Sequence, residues 1–293
     1  MEFQPYQPGL QVGLASDPGR SSEGNEDAGF VWQLILPQPG QPPWPMGLFI
    51  IADGMGGHLK GEQASVLAIR LAAHHVIRQV CLPFLADDAG AVERPPINEV
   101  LEASMHIAHQ AILRQLPEAG TTMTMALLLG DSVFIAHVGD SRAYLGERGH
   151  LHRLTQDHSI AARLVDMGQA TPEEVAAQRN ILYKALGRGP KIEPDILYRD
   201  MDRRHYLLVC SDGLWNVVPE AEVAAIVEAA ATPASACQDL VAQAKEQGGE
   251  DNISVILVAR DWPLPVCAPV QAGNQCESFG LDPPVESGAK ASG

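Results

Sequence analysis

The sequence predicts an α+β protein built as a layered sandwich, and three observations carry that reading. Strand-like and helix-like runs come in blocks rather than in a regular βαβ alternation. The strand-like runs are short, apolar and bounded by Gly, Pro and Asp turns. Four of them carry an acidic residue at one end: Asp53 after Leu48 to Ala52, Asp140 after Ile135 to Gly139, Asp212 after Leu207 to Ser211, and Asp251 just before Ile253 to Val258.

The elements follow in order from Val12. Val31 to Leu36 and Leu48 to Ile51 read as strands joined by a Pro/Gly-rich loop, Pro37 to Pro45. Gly61 to Val80 reads as a helix with Ala64, Leu67, Ala68, Leu71 and Ala72 on one face, and Ile97 to Leu116 as its partner, with Pro83 to Pro96 between them. Thr121 to Leu129, Ser132 to His137 and Arg142 to Leu145 form a meander, with turns at Gly130-Asp131 and Glu147-Arg148-Gly149. Thr155 to Gly187 turns helical and charged, and Thr171-Pro172-Glu173-Glu174 has the residues of a helix start. Pro219 to Ala230 and Pro233 to Glu246 read as amphipathic helices, and the strand to Ala259 closes the domain. These readings divide the chain into an N-terminal extension (1–9), a folded domain (10–262) and a Pro, Gly, Ala and Ser-rich tail (263–293) without periodicity, expected to be disordered.

Composition narrows the function. With 46% hydrophobic and 19% charged residues, 293 residues suffice for one large core. A formal net charge of −16 argues against a nucleic-acid partner, whose phosphates need Lys and Arg. The apolar runs are too short to span a bilayer, and Met1 to Gly9 lacks a signal-peptide pattern, so a cytoplasmic protein with no membrane partner is expected. Five cysteines at irregular spacing form neither a disulfide framework nor a zinc pattern. No surplus apolar stripe suggests an oligomer, so a monomer is expected.

The acids carry the chemistry. Buried carboxylates are costly without a cation or donors, and no Lys or Arg adjoins Asp53, Asp212 or Asp251 in sequence. Asp53-Gly54-Met55-Gly56-Gly57-His58 sets a carboxylate before a glycine turn, Ser211-Asp212-Gly213 repeats the device, and Gly248-Gly249-Glu250-Asp251 supplies a third acid. Oxygen ligands without a Cys or His cluster point to Mg²⁺ or Mn²⁺.

These segments, together with Ser16 to Gly19, Asn25-Glu26-Asp27, Gly61-Glu62, Gly120-Thr121-Thr122, Val138 to Arg142, Leu154 to Ser159, Arg179-Asn180 and Ala185-Leu186-Gly187, occur in the order found in one family. Over roughly residues 10 to 260 the chain resembles the bacterial metal-dependent protein serine/threonine phosphatases of type 2C, the PPM family. The resemblance implies a four-layer αββα sandwich: two central antiparallel sheets, flanking helix pairs, and a binuclear centre at one end. It implies that Asp53 bridges two Mn²⁺ or Mg²⁺ ions, that the Gly54 carbonyl binds one, and that Asp212 and Asp251 bind the other. Glu26 and Asp27 would act behind them through water, and Asp140 would help hold a third, weaker metal. Phosphoserine and phosphothreonine would be hydrolysed by direct attack of the bridging hydroxide, opposing a bacterial-type Ser/Thr kinase.

One position departs from the family pattern: Ser22 stands where an arginine usually grips the substrate phosphate. Arg20, two residues earlier and on the same face of an extended chain, is the candidate replacement, and the alternative is weaker phosphate binding. The rival reading is a catalytically weak pseudophosphatase or binding module with the same fold, supported by Ser22 alone. A third is a metal-dependent hydrolase of small phosphate esters.

Overall fold

A computed structural model describes residues 9–20, 24–38, 40–85, 95–147 and 149–262; the side chains of His58 and Ala176 are also outside the description. The expected tail (263–293), most of the extension (1–9) and Ser22 therefore lie outside the described residues.

Two five-strand antiparallel paths form the centre. The first runs in the order β1 (Gln11–Asp17), β11 (Ile253–Ala259), β10 (Tyr206–Cys210), β7 (Arg142–Glu147), β8 (His150–Arg153). The second runs β2 (Asp27–Gln38), β3 (Gln41–Met55), β5 (Met123–Leu129), β6 (Ser132–Val138), β9 (Asp195–Asp200), with the two-residue β4 (Gly120–Thr121) pairing the end of β3. Helices α1 (His58–Val76) and α3 (Ile97–Gln115) cover one outer face; α6 (Glu220–Ala229) and α7 (Pro233–Glu246) cover the other. A turn of π-helix (Ile77–Cys81) and the short α2 (Leu82–Leu85) extend α1. The short α4 (Ile160–Asp166) lies in the segment between β8 and β9, and α5 (Asp212–Trp215) follows β10. The result is the four-layer αββα sandwich.

Strand periodicity explains the layers. Successive side chains face opposite ways, so Leu48, Ile50 and Ala52 of β3 pack on Ala64, Ala68, Leu101 and Met105 of the helices, while Phe49 and Ile51 face the other sheet. In the same way Leu208 and Cys210 meet Val223, Val227 and Leu240, while Leu207 and Val209 join Phe49, Ile256 and Val258 between the sheets. Fully burying each large side chain contributes about 1.5–3 kcal/mol.

Two expectations are corrected. Pro37 to Pro45 is mostly strand: β2 reaches Gln38 and β3 starts at Gln41. The prolines are tolerated because β3 gains its second neighbour, β5, only from Met46 onward. Thr171 to Val175 forms no α-helix but a turn leading into a single 3₁₀ turn, Ala176–Gln178. Thr171 and Glu174 make one arm of the expected cap, the Thr171 N–H donating to Glu174 Oε2 at 2.8 Å, but Val175 is the segment's only buried side chain among those described. A helix that short needs a packed face. Among the described residues no helix is long and apolar enough to cross a membrane.

Candidate active site

The acids that stand apart in sequence meet at one end of the sandwich. A cleft of about 770 Å³ there is lined by Glu26, Asp53, Gly54, Asp140, Asp212 and Asp251 together with loop residues 248–250 and 252. No Lys, Arg or His lines it among the described residues.

Asp53 stands near the end of β3, opposite Asp27 of β2 in the strand register. Its backbone is clamped from the β4–β5 corner: its N–H donates to Thr122 Oγ1 (3.0 Å), and its carbonyl accepts from the Thr121 hydroxyl and the Thr122 N–H (2.8 Å each). The break in the ladder at Thr122, between β4 and β5, thus has a local purpose. Gly54 donates its N–H to the Glu26 carbonyl (3.1 Å), and a Cβ on Gly54 would strike the backbone of Gly61. Gly61 in turn leaves room for the Glu26 carboxylate.

Asp212 opens α5 and is 6% exposed, and Asp27, 8% exposed, lies behind the cleft and accepts from Ser211 Oγ at 2.7 Å. Asp251 sits in the exposed bend before β11, where Asn252 ties the loops together. The Asn252 side chain accepts from the Glu26 N–H (2.7 Å) and donates to the Pro18 and Gly24 carbonyls (2.9 and 3.1 Å). Asp140, 4% exposed, follows β6; its carbonyl accepts from the Trp215 indole at 3.0 Å.

Burial, reinforced by the neighbouring carboxylates, pushes the Asp53 and Asp140 carboxyls well above the usual carboxylate range. The same causes push Asp27 and Asp212 up to about 7, against the opposing donation from Ser211 to Asp27. One oxygen of each of this second pair, Asp27 Oδ1 and Asp212 Oδ1, is buried with no hydrogen-bond partner. Orphaned buried carboxylate oxygens facing a field of like charge fit a bound cation. Among the described residues no three His, Cys, Asp or Glu side chains form a ready cage around one point. An ion such as Mg²⁺ keeps several waters and binds through one or two carboxylates, so it does not require such a cage.

Arg20 is exposed and outside the cleft lining, although its backbone N–H bonds the Gly249 carbonyl (3.1 Å) and so places it beside the 248–252 loop. Residues that sequence reasoning left without a role are Thr122, Ser211, Asn252 and Trp215. Ser211 and Asn252 are visible in sequence only as neighbours of acids, and Thr122 only within the Gly120-Thr121-Thr122 segment, since a hydrogen bond across the fold leaves no local pattern.

Residues 43–248 match the protein phosphatase 2C family. The chain belongs to that family. It is 36% identical over 254 residues to the serine/threonine phosphatase stp of Listeria monocytogenes, covering 86% of this chain and 96% of that protein. Its fold is similar to that of the Streptococcus agalactiae serine/threonine phosphatase, with a TM-score of 0.69, 32% identity and coverage of 85% of this chain and 99% of that one. It also resembles the catalytic domain of the phosphatase PstP in complex with two manganese ions (TM-score 0.68, 30% identity, 85% and 97% coverage). For a family member, the acidic cleft is the place to look for the metal centre.

Proposed function

We propose that this cleft is the two-metal centre of an active protein serine/threonine phosphatase. The observation that carries the proposal is the convergence of Asp53, Asp212 and Asp251 with two orphaned buried carboxylate oxygens and, among the described residues, no cationic side chain in the lining. Asp53 would bridge two Mn²⁺ or Mg²⁺ ions, the Gly54 carbonyl would hold one, and Asp212 and Asp251 the other. Glu26 and Asp27 would orient water behind them, and Asp140 would serve a third, weaker ion. When bound, such ions supply an activated water and neutralise charge on the phosphoryl oxygens.

The chain's own part is to hold the carboxylates in fixed register. Thr121 and Thr122 clamp the Asp53 backbone, Ser211 orients Asp27, and Asn252 locks Glu26 to the loop bearing Asp251. Asn180 and Leu182 of the segment after β8 close one wall. Arg20, at the mouth, would draw the incoming phosphate. Substrates are phosphorylated proteins, among them a bacterial-type Ser/Thr kinase, and the protein acts in the cytoplasm as a monomer. Residues 10–262 carry this activity, with 1–9 and 263–293 as appendages.

The test is phosphate release from a phosphothreonine peptide with and without Mn²⁺. Wild type should turn over only with metal, and Asp53→Asn or Asp251→Asn should lower kcat by roughly three orders of magnitude or more. Turnover that persists in stripped protein with EDTA would refute the metal centre. Equal activity on small phosphate esters would favour a general phosphoesterase, and no turnover at all a pseudophosphatase.

A further inference from the structure

Arg142 follows the cleft's Asp140 by two residues, close enough in sequence to reach the cleft. The structure turns it away. Arg142 is not in the cleft lining, and its side chain is 13% exposed. It forks onto Asp157, Nε to Oδ1 at 2.9 Å and a terminal nitrogen to Oδ2 at 2.7 Å, and donates to the Tyr144 hydroxyl at 3.2 Å. Its guanidinium carbon lies 3.4 Å from the centroid of the Trp215 ring. Trp215 ends the helical turn that begins with Asp212, and its indole N–H donates to the Asp140 carbonyl at 3.0 Å.

One buried cation therefore joins three parts of the site. The stacked ring fixes where the indole N–H points, and that N–H fixes the Asp140 backbone. The ring also anchors the turn carrying Asp212. The forked bond holds Asp157, whose neighbour His158 exchanges hydrogen bonds with Gly139: the His158 N–H to the Gly139 carbonyl at 2.7 Å and the Gly139 N–H to His158 Nδ1 at 3.0 Å. Asp140 is thus gripped on both sides, from Trp215 and from the root of the segment that closes the cleft.

We infer that Arg142 is a positioning residue, acting through Trp215 and Asp157 to set the backbone of Asp140 and so the affinity of the cation that Asp140 helps to hold. The inference rests on the proposed role of Asp140 as a ligand. It predicts a defect of a particular kind: metal affinity falls while substrate affinity does not.

Trp215→Phe keeps an aromatic ring under the guanidinium while removing the N–H donor together with part of the indole ring. Arg142→Lys keeps the charge and loses the fork and the planar stack. Each is compared with wild type and Asp140→Ala by calorimetric Mn²⁺ titration of stripped protein, by the Mn²⁺ concentration giving half-maximal activity, and by KM at saturating Mn²⁺. Loss of one hydrogen bond to the carbonyl should weaken the weakest Mn²⁺ step about fivefold in Trp215→Phe, and Arg142→Lys should weaken it further. KM should stay within about twofold of wild type in both, since neither side chain lines the cleft. Wild-type Mn²⁺ binding in Trp215→Phe, beside a clear loss in Asp140→Ala, would overturn the inference alone. Wild-type Mn²⁺ binding in Asp140→Ala would overturn both the ligand role of Asp140 and the inference built on it. A raised KM with unchanged metal binding would place Arg142 on the substrate side and refute the positioning role. Should Arg142→Lys fail to fold, Trp215→Phe decides the matter.

Discussion

Stripping the metals should leave a protein whose stability falls as pH rises through neutrality, the reverse of the usual carboxylate effect. Asp27 and Asp212 have folded-state pKa values of about 7 against an ordinary value of 3.8. The folded state then binds more protons than the unfolded one between about pH 4 and pH 7, so stability is greatest below that window and is lost as pH rises through it. A carboxyl displaced that far carries ~4 kcal/mol at pH 8, an upper figure for each because the two sit in one shared field. A cation binding only the folded form at a hundredfold excess over its Kd returns about 2.7 kcal/mol. For a domain of this size that is a rise in Tm of about 5–10 °C. The assay is thermal unfolding from pH 5.5 to 8 with EDTA or Mn²⁺, on wild type and Asp27→Asn. Stripped wild type should lose Tm with pH, Mn²⁺ should restore it most at pH 8, and Asp27→Asn should flatten the stripped curve. A stripped protein whose Tm climbs toward pH 8, or ignores Mn²⁺ there, would refute the reasoning.

Further outcomes follow from the same structure. Asp140→Ala should slow turnover while two Mn²⁺ ions per chain remain bound in metal analysis; loss of one of those two would reassign Asp140. Arg20→Ala should raise KM for a phosphopeptide by roughly threefold to tenfold and Ser22→Arg should lower it, because a guanidinium binds phosphate through two hydrogen bonds; unchanged KM in Arg20→Ala would leave phosphate binding to the metals. Leu101→Ala, emptying a fully buried position on the inner face of α3, should cost about 2–5 kcal/mol in denaturant unfolding. Deleting residues 263–293 should leave Tm and activity unchanged, and a large fall in Tm would show that the segment docks.

The sequence is most legible where burial is complete. β11 and α7 match their expected ends, and α3 differs by one residue at its C-terminal end, because their apolar periodicity is unbroken and packing enforces it. Legibility fails where a neighbour decides. β8 and β9, with burial only along part of each strand, carry polar and charged residues with no strand pattern of their own, and take their conformation from pairing with β7 and β6. The helix start written at Thr171 has the right capping residues but no buried face. In the site, the acids were readable because a carboxylate at the end of an apolar strand is costly. Their supports were not: Ser211 and Asn252 are ordinary polar residues until the fold brings Asp27 and Glu26 to them from more than 180 positions away.

The pairing of β1 with β11 sets Gln11 beside Ala259 and Asp17 beside Ile253. A ribosome would have to release nearly the whole domain before that ladder could zip, and the 248–252 loop, whose Asn252 fastens Glu26 and Gly24, arrives with the final strand. The first sheet is therefore finished last, and such distant contacts slow folding. A nascent or truncated chain would present the early carboxylates without the late ones, so hydrolytic competence is withheld until synthesis is almost complete. The same arrangement puts the two ends of the folded unit on neighbouring strands at one edge, a geometry suited to re-joining them and opening the chain elsewhere.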